Sequence, residues 1–376
     1  MKTQKSYDEE LEEKIKQTGF ILEHQVAEMF EKAGWGIIHN RYYIDDVVPQ
    51  QREIDLLAYK VDESIPNFRI VTCLIVSCKK SEQYDWIFLT RKAPSMGSNI
   101  NMNPITINSN VGVFNYEVTI TDWKKEKSAN AGKFKGLLNK LFSYPDVIFA
   151  FKEFKYNDTK TRSDSAIFDS ISSLVKAQAY EIKSLKTRRK PNETYVYNFN
   201  LLSIADVKFF KLHFEGDNYQ KVEINRINYL NRFLINGIEQ HSKVEFLTFE
   251  SLPELIKDYD LMHEWNIEFY MKSIEEFYNN IWEKNRKDYI IKIEGEKFLQ
   301  YLKNKAKASN LIEFYFSVLY LEYEDNVLRV DCNVTDSINK TLNEDKTIKT
   351  FTSQWLKKHF KYSGEFIFKD AYDLPF

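Results

Sequence analysis

The chain has 376 residues, of which 43% are hydrophobic and 15% aromatic, so it can bury a large core and exceeds one average domain. Its 53 basic and 55 acidic residues give a net charge of -2, which excludes a global attraction to nucleic acid or membrane and leaves only local patches for such partners. The three cysteines are too few for a disulfide framework, the charged N-terminal sequence lacks the apolar run of a signal peptide, and no segment is apolar enough to span a bilayer. We therefore expect a cytoplasmic protein with no membrane partner.

The N-terminal part of the chain predicts one helix followed by three strands. Apolar residues recur at helical spacing in residues 20–33, and Gly34 stands where a helix ends on a left-handed residue. Strand patterns follow over GIIHNRYYI, REIDLLAY and RIVTCLIVSCK, and a turn at Asp45 and Asp46 separates the first two. The third pattern is apolar on both faces over residues 70–76, which is typical of a strand at the centre of a covered sheet.

The remainder of the chain predicts a larger α/β domain and a different C-terminal part. An Asn- and Ser-rich insertion over about residues 93–160 contains a strand pattern in VGVFNYEVTI and a helix pattern in GKFKGLLNKLF. A long helix is predicted over SAIFDSISSLVKAQAYEIKSL, then strands over ETYVYNFNLL, DVKFFKLHF, QKVEINRINYL and KVEFLTF, and a helix over LPELIKDYDLMHEW. We therefore predict an α/β domain over residues 1–265, with helices on both faces of a sheet, and a C-terminal α+β subdomain over residues 266–376.

Five residues at the ends of these elements are candidates for a catalytic site. Asp55 ends the second strand and Ser77-Cys78-Lys79 ends the third, where alternation gives Ser77 and Lys79 one face and turns Cys78 away. Glu23 lies at the margin of the apolar face of the preceding helix and would overhang the same point. Phosphodiester hydrolysis needs a divalent cation, a carboxylate that holds it and a positive group near the attacking water. Asp55, Glu23 and Lys79 would supply these groups.

The same residues carry a resemblance to a known family. Glu23 in GFILEHQVAEMFEKAGW, Asp55 in REIDLLAY and Lys79 in LIVSCKKS resemble, in order and spacing, the restriction-endonuclease-like superfamily of PD-(D/E)xK nucleases. The resemblance covers residues 19–90 well and the later helix and strands loosely. It implies a mixed central sheet flanked by helices, and a DNA endonuclease of restriction or phage-defence type that uses Mg²⁺ or Mn²⁺.

The resemblance also implies a role for each matched residue. Asp55 would bind the metal, Glu23 would assist through the metal's water shell, and Lys79 would orient the attacking water. Ser77 stands where the family has a second metal-binding carboxylate, and serine is a poor ligand for a hard dication. Because magnesium is often held by only one or two carboxylates, Asp55, the backbone carbonyl of Cys78, Glu23 through water and a DNA phosphate would still suffice.

Further departures leave a second interpretation open. Lys176 fits a lysine of a family helix, but Ser173 occupies the position where that helix often carries glutamine. Glu53 and Glu82 are nearby acids that would replace the missing carboxylate. The alternative is a catalytically inactive nuclease-derived protein that binds DNA or serves as a scaffold.

A cluster of cations near the end of the long helix predicts contacts to a phosphate backbone. The predicted DNA-binding residues are Lys80, Lys176, Lys183, Lys186, Arg188, Arg189 and Lys190. The competing interpretation is a solvated helix end, where cations also favour the helix dipole. The expected partners are DNA and, because such folds generally cut both strands with two copies, a second copy of the chain. The aromatic residues are spread through the predicted elements, which indicates that most of them belong to the core.

Overall fold

The structure, a computed structural model, divides the chain into two compact units. The first unit comprises Met1–Asn110 and Trp123–Glu268, and the second comprises Val111–Asp122 and Phe269–Phe376. The structure describes Leu11, Lys14, Ile15 and residues 18–45, 50–94, 106–114, 132–142, 144–155, 165–190, 193–235, 237–308, 318–324 and 326–369. The division after Glu268 lies close to the boundary predicted after residue 265.

The first unit contains both helices and strands. Its helices are α1 (Gly19–Lys32), α2 (Lys135–Phe142), α3 (Ser165–Arg188) and the first part of α4 (Leu252–Asn279). Its strands are β1 (Gly36–Ile44), β2 (Gln51–Asp62), β3 (Phe68–Lys80), β4 (Asp85–Lys92), β5 (Thr106–Ser109), β6 (Asp146–Phe154), β7 (Thr194–Asp206), β8 (Phe209–Glu215), β9 (Asn218–Ile224), β10 (Arg226–Ile235) and β11 (Ile238–Thr248). Helix α1 ends as predicted, with Gly34 in the left-handed region at φ 78°.

The main sheet has seven strands, and β3 and β7 lie at its centre. Its order is β1-β2-β3-β7-β11-β10, and β5 pairs with β7. The β1, β2 and β3 strands pair antiparallel, which confirms the predicted helix followed by three successive strands. The β3–β7 and β7–β11 pairs are parallel. Because parallel strands need a crossover connection, the chain between β3 and β7 includes α3, which packs on the sheet.

Two hydrophobic cores lie on opposite faces of the main sheet. In β3, Val71 and Ile75 belong to the core shared with α3, whereas Leu74 and Val76 belong to the core shared with α1 and α4. This division follows from the alternation of side chains along a strand. The prediction of a central strand buried on both faces is therefore confirmed.

A second sheet of four strands was not predicted from the sequence. Its order is β6-β4-β8-β9, with β4 and β8 parallel. The Trp86 ring stacks on Phe209 with 5.4 Å between centroids and meets Phe246 of β11 edge to face at 5.9 Å, so one face of this sheet joins the α3 core. The segment QKVEINRINYL, predicted as one strand, is divided at Asn225 between β9 and β10, which lie in different sheets.

The second unit is α+β, as its sequence predicts. It contains the end of α4 and α5 (Lys284–Ala308), β12 (Tyr320–Glu324), β13 (Val327–Asp331), α6 (Asp336–Glu344), α7 (Lys346–Phe360) and β14 (Phe366–Phe368). The β12–β13 pair forms the predicted hairpin, and β14 joins β13 in parallel. An aromatic contact between Phe298 and Trp355, at 4.5 Å between centroids, connects α5 to α7 within this unit's core.

The described residues therefore form a mixed α/β protein with three mixed sheets. Two predictions for the insertion have different outcomes: the helix over GKFKGLLNKLF is present as a 3-10 turn followed by α2, whereas the strand over VGVFNYEVTI is wrong in its described part, since residues 112–114 are helical, and residues 115–120 lie outside the described residues. No helix in the described part of the chain is long and apolar enough to cross a membrane.

Candidate active site

Asp55 lies where the β2–β3 ladder ends. The paired residues of the two strands run from Asp62 and Ile70 to Leu56 and Val76, and Asp55 is the next residue of β2. One of its carboxylate oxygens, Oδ2, accepts a hydrogen bond of 2.7 Å from the backbone N–H of Cys78. The carboxylate thus satisfies an amide beyond the end of the ladder, and this bond fixes the orientation of the Asp55 side chain.

The β2 strand is distorted at Asp55. Ile54 packs in the core on the α3 side, whereas Leu56, two residues later, packs in the core on the α1 side. In a regular strand these two side chains would share one face, so β2 changes faces at Asp55. Asn40, on the neighbouring β1, has a left-handed φ of 50° where the β1–β2 ladder skips it. Asp55, at this irregularity, and Glu53, two residues before it, both line the cleft described next.

A cleft of about 450 Å³ opens at this end of the sheet. The sheet contributes Glu53, Asp55 and Lys79 to its lining, and α3 contributes Ser173 and Lys176. The structure therefore brings together two of the predicted catalytic residues, Asp55 and Lys79, with the predicted DNA-binding Lys176 and the alternative acid Glu53. Glu82, the other alternative acid, is exposed and is not among the described residues that line the cleft.

Glu23 lies on α1, and the negative charges around the cleft act on it electrostatically. Burial raises the pKa of its carboxyl, and the charges of Asp55 and Glu53 raise it further, while Lys79 opposes them. Glu23 is thus within electrostatic reach of both acids and of Lys79, but it is not among the described residues that line the cleft. Neighbouring carboxylates of this kind favour the binding of a cation.

The other two predicted catalytic positions are buried. Ser77 is 4% exposed and pairs in register with Ser203, whose hydroxyl accepts a 2.8 Å hydrogen bond from Ser170 of α3. Cys78 packs in the core on the α1 side, and burial, followed by the charges of Asp55 and Glu23, raises its pKa well above the ordinary value. Its thiol is therefore a packing group, as predicted from strand alternation.

The backbone of Cys78 remains compatible with the predicted metal contact. In a strand, the N–H and C=O of one residue point toward the same neighbouring strand. Because the Cys78 N–H donates to Asp55, the Cys78 carbonyl also points to the β2 side. The carbonyl and the carboxylate thus lie on the same side of β3.

The donor set fits a hydrated magnesium ion and not a closed metal cage. In the described ranges, no three His, Cys, Asp or Glu side chains are grouped closely enough to hold a metal ion. Magnesium keeps several waters and is commonly bound through one or two carboxylates plus substrate phosphate. Asp55 together with Glu53 or Glu23 matches that requirement, whereas zinc or a fully protein-bound calcium would need more ligands.

Several of the predicted DNA-binding cations form ion pairs within the protein. Lys176 contacts the buried carboxylate of Asp45 at 2.7 Å, and Lys80 lies 3.5 Å from Asp206. The two arginines are also paired, Arg188 with Glu181 at 2.6 Å and Arg189 with Glu193 at 3.7 Å. Lys183, Lys186 and Lys190, also members of the set, are exposed near the end of α3. The patch is thus partly neutralised by the protein itself.

Sequence reasoning missed some of the residues at the cleft. The sequence pattern assigns Asp45 to a turn, yet its carboxylate is buried, holds Lys176 and also lies 3.6 Å from Arg52. Asp169 and Ser172 lie on the α3 side of the cleft, close to Lys176 along the helix. The polar stripe at helical spacing, beside the apolar stripe of α3, is the signal that would have found them.

Comparisons with known proteins do not assign the chain to a family. No protein-family model matches the chain, and no curated protein or solved structure is similar enough to it to count as a match.

Proposed function

We propose that the chain is a metal-dependent DNA endonuclease of restriction or phage-defence type, with a restriction-endonuclease-like fold in its first unit. The observation that carries the proposal is the cleft in which Asp55, Glu53 and Lys79 meet beside Glu23. Acidic oxygens that bind a dication and a lysine that orients water are the groups that phosphodiester hydrolysis requires. They come from the helix and strands that carry the sequence resemblance.

The topology supports the fold part of this proposal. The order of α1 followed by antiparallel β1, β2 and β3, and the parallel return to β7 through α3, matches the mixed sheet flanked by helices that the resemblance implies. The four-stranded sheet lies outside that pattern, as does the second unit.

Each residue has a defined task in the proposed reaction. Asp55 would hold Mg²⁺ or Mn²⁺ together with Glu53 or Glu23, and the Cys78 carbonyl, on the same side of β3 as the Asp55 carboxylate, would offer a further oxygen ligand. The bound ion would supply a Lewis acid and a hydroxide source. Lys79 orients the attacking water and offsets negative charge as the phosphate is attacked.

A second candidate function is a catalytically inactive, nuclease-derived protein that binds DNA or serves as a scaffold. The burial of neutral Ser77 among the hydroxyls of Ser170 and Ser203 favours it, because this position then adds no charge to the metal site. The candidate predicts retention of DNA without turnover, and this retention would weaken as salt rises.

Plasmid cleavage separates the two candidates. Supercoiled plasmid is incubated with the wild type and with Asp55→Asn, Lys79→Gln and Ser77→Glu variants, in magnesium and separately in manganese. An Asp62→Asn variant changes an acid at the other end of the β2–β3 ladder and is the matched control. The proposal expects nicking or linearisation by the wild type and the control, and its loss in the Asp55 and Lys79 variants.

The remaining outcomes count against the proposal in different ways. Cleavage that persists in Asp55→Asn would refute the assigned site. An inert wild type together with an active Ser77→Glu variant would establish the inactive-nuclease candidate. If every folded variant is inert with both metals, the chain is not a plasmid nuclease, and DNA retention at low salt then decides between a binding protein and a scaffold.

A further inference from the structure

The outer face of the four-stranded sheet carries exposed aromatic residues. The inner face buries Trp86, Phe88 and Phe209 in the α3 core, so alternation turns the intervening residues outward. Phe149 of β6 is 51% exposed and Tyr219 of β9 is 60% exposed. An exposed group of large rings on a folded protein commonly marks an interaction site.

These rings form a row across the sheet. Phe214 of β8 lies between the two exposed rings, with its centroid 5.6 Å from that of Phe149 and 5.4 Å from that of Tyr219. Phe210 lies on the same face of β8, four residues before Phe214, and is partly exposed. The ammonium group of Lys221 covers its ring at 4.2 Å from the centroid. We call Phe149, Phe210, Phe214 and Tyr219 the aromatic row.

Cations are interleaved with the aromatic row. By the strand register, Arg91 of β4 lies beside Phe214, and Lys152 of β6 lies on the same outer face. Neither Arg91 nor Lys152 forms an ion pair with any residue that the structure describes. The acids on this face of the described strands, Asp85 and Glu223, lie toward the end opposite the most exposed rings.

We propose that this face binds single-stranded DNA. Exposed rings stack with unpaired bases, and cations between the rings contact the phosphates that connect those bases. A duplex hides the faces of its bases, so it would not use the aromatic row. The choice of DNA over RNA rests on the proposed function, whereas the preference for a single strand rests on the rings and charges themselves.

The charge pattern disfavours a second copy of the chain as the occupant. A two-fold interface brings the same patch of each copy together. Arg91, Lys152 and Lys221 of one copy would then approach the same cations of the other, and like charges across an interface are unfavourable. A polyanion with stackable groups complements the face instead.

Fluorescence anisotropy with a labelled oligothymidylate tests the proposal in EDTA, where metal-dependent cleavage cannot occur. Phe149→Ala/Tyr219→Ala removes the two most exposed rings of the row. Because stacking on an aromatic side chain is worth about 5- to 160-fold in affinity per base, we expect at least about tenfold weaker binding. Leu234→Ala/Tyr320→Ala, which truncates exposed apolar residues elsewhere, is the control and should bind like the wild type.

The salt dependence of binding measures the contribution of the cations. Lys152→Gln/Lys221→Gln should flatten the plot of log affinity against log salt by about 1.4, since each phosphate contact to a single strand contributes about 0.7. Absence of oligothymidylate binding by the wild type, or unchanged affinity in the ring variant, would overturn the proposal. So would tighter binding of duplex DNA or of oligouridylate, or a wild-type dimer that the ring variant dissociates.

Failure of this binding face and failure of the proposed function are distinguishable. Binding is measured without metal, and none of the aromatic row is among the described residues that line the cleft. If the wild type does not cleave plasmid but binds the oligonucleotide, and the ring variant weakens that binding, only the catalytic proposal is refuted. If the wild type cleaves plasmid but the ring variant does not weaken oligonucleotide binding, only the proposal that this face binds single-stranded DNA is refuted.

Discussion

Comparing Asp55→Ala with Asp55→Asn separates the structural role of this carboxylate from its proposed catalytic role. In the wild type, Asp55 accepts a 2.7 Å hydrogen bond from the N–H of Cys78, a residue that is 4% exposed. Alanine leaves that amide without its acceptor, which costs about 1–3 kcal/mol. Asparagine keeps an acceptor oxygen and removes the charge.

The electrostatic effect of these substitutions on the free energy of unfolding has the opposite sign. The pKa of Glu23 is raised by its burial and then by the charges of Asp55 and Glu53, so the folded state contains repulsion that either substitution at Asp55 relieves. We therefore expect the free energy of unfolding of Asp55→Asn to lie within about 1 kcal/mol of the wild-type value. We expect Asp55→Ala to be less stable than Asp55→Asn.

Urea unfolding in EDTA, followed by tryptophan fluorescence, measures these differences. Hydrogen exchange of a peptide containing Cys78 gives a local readout, and exchange should be faster in Asp55→Ala than in Asp55→Asn. Adding magnesium should stabilise the wild type and leave both variants unchanged, because ligand binding stabilises only the state that holds the ligand. Equal stability of the two variants, with equal exchange at Cys78, would refute the assigned hydrogen bond.

Two further predictions concern buried groups that are not among the described residues lining the cleft. Glu245→Ala leaves Lys243 and Arg226 without their shared buried carboxylate, so it should lower the free energy of unfolding by about 3–5 kcal/mol in urea titrations. Glu239→Ala, at an exposed pair, should cost less than about 1 kcal/mol in the same titrations. Burial lowers the pKa of His263 to about 4, so on acidification the unfolded state takes up its proton first. The stability contributed by neutral His263 should be complete above about pH 6.5 and be lost as the pH falls toward 4, and His263→Asn should remove this dependence from thermal unfolding curves measured across that window.

Local patterns in the sequence predicted the part of the fold that supports the cleft. The α1 helix and β1 to β3 have clear periodicities, and each pairs with or packs on its neighbour in the chain. The four-stranded sheet was missed because its central pair joins β4 to β8, far apart in sequence, and because β6 lies within the predicted insertion. Long-range parallel pairing leaves no short sequence signal of the kind that a hairpin does.

The residues of the candidate site likewise divide into those that a local pattern predicts and those whose contacts depend on distant parts of the chain. Asp55 and Lys79 were predicted because each stands beside a clear strand pattern, and the antiparallel pairing of β2 with β3 brings both to the end of their ladder. The ion pair between Lys176 and Asp45 joins residues 131 positions apart, so no local pattern reveals that this lysine is already paired. The exposure of aromatic rings such as Phe149 depends likewise on which sheet face remains uncovered, whereas the spread of aromatic residues through the predicted elements indicated that most of them belong to the core.

Ser77, which the proposal places where the family has a second metal-binding carboxylate, yields the last prediction through its packing. It is 4% exposed beside Ser203 and Ser170, so a glutamate there would be desolvated unless a cation lay nearby. Ser77→Glu should therefore be less stable than Ser77→Gln in EDTA, since both add similar volume and only one adds charge. Magnesium should restore the stability of Ser77→Glu and leave Ser77→Gln unchanged, as measured by thermal unfolding at several metal concentrations. Equal metal responses in the two variants would mean that position 77 does not face the metal, and the correspondence between Ser77 and the family's second carboxylate would then be wrong.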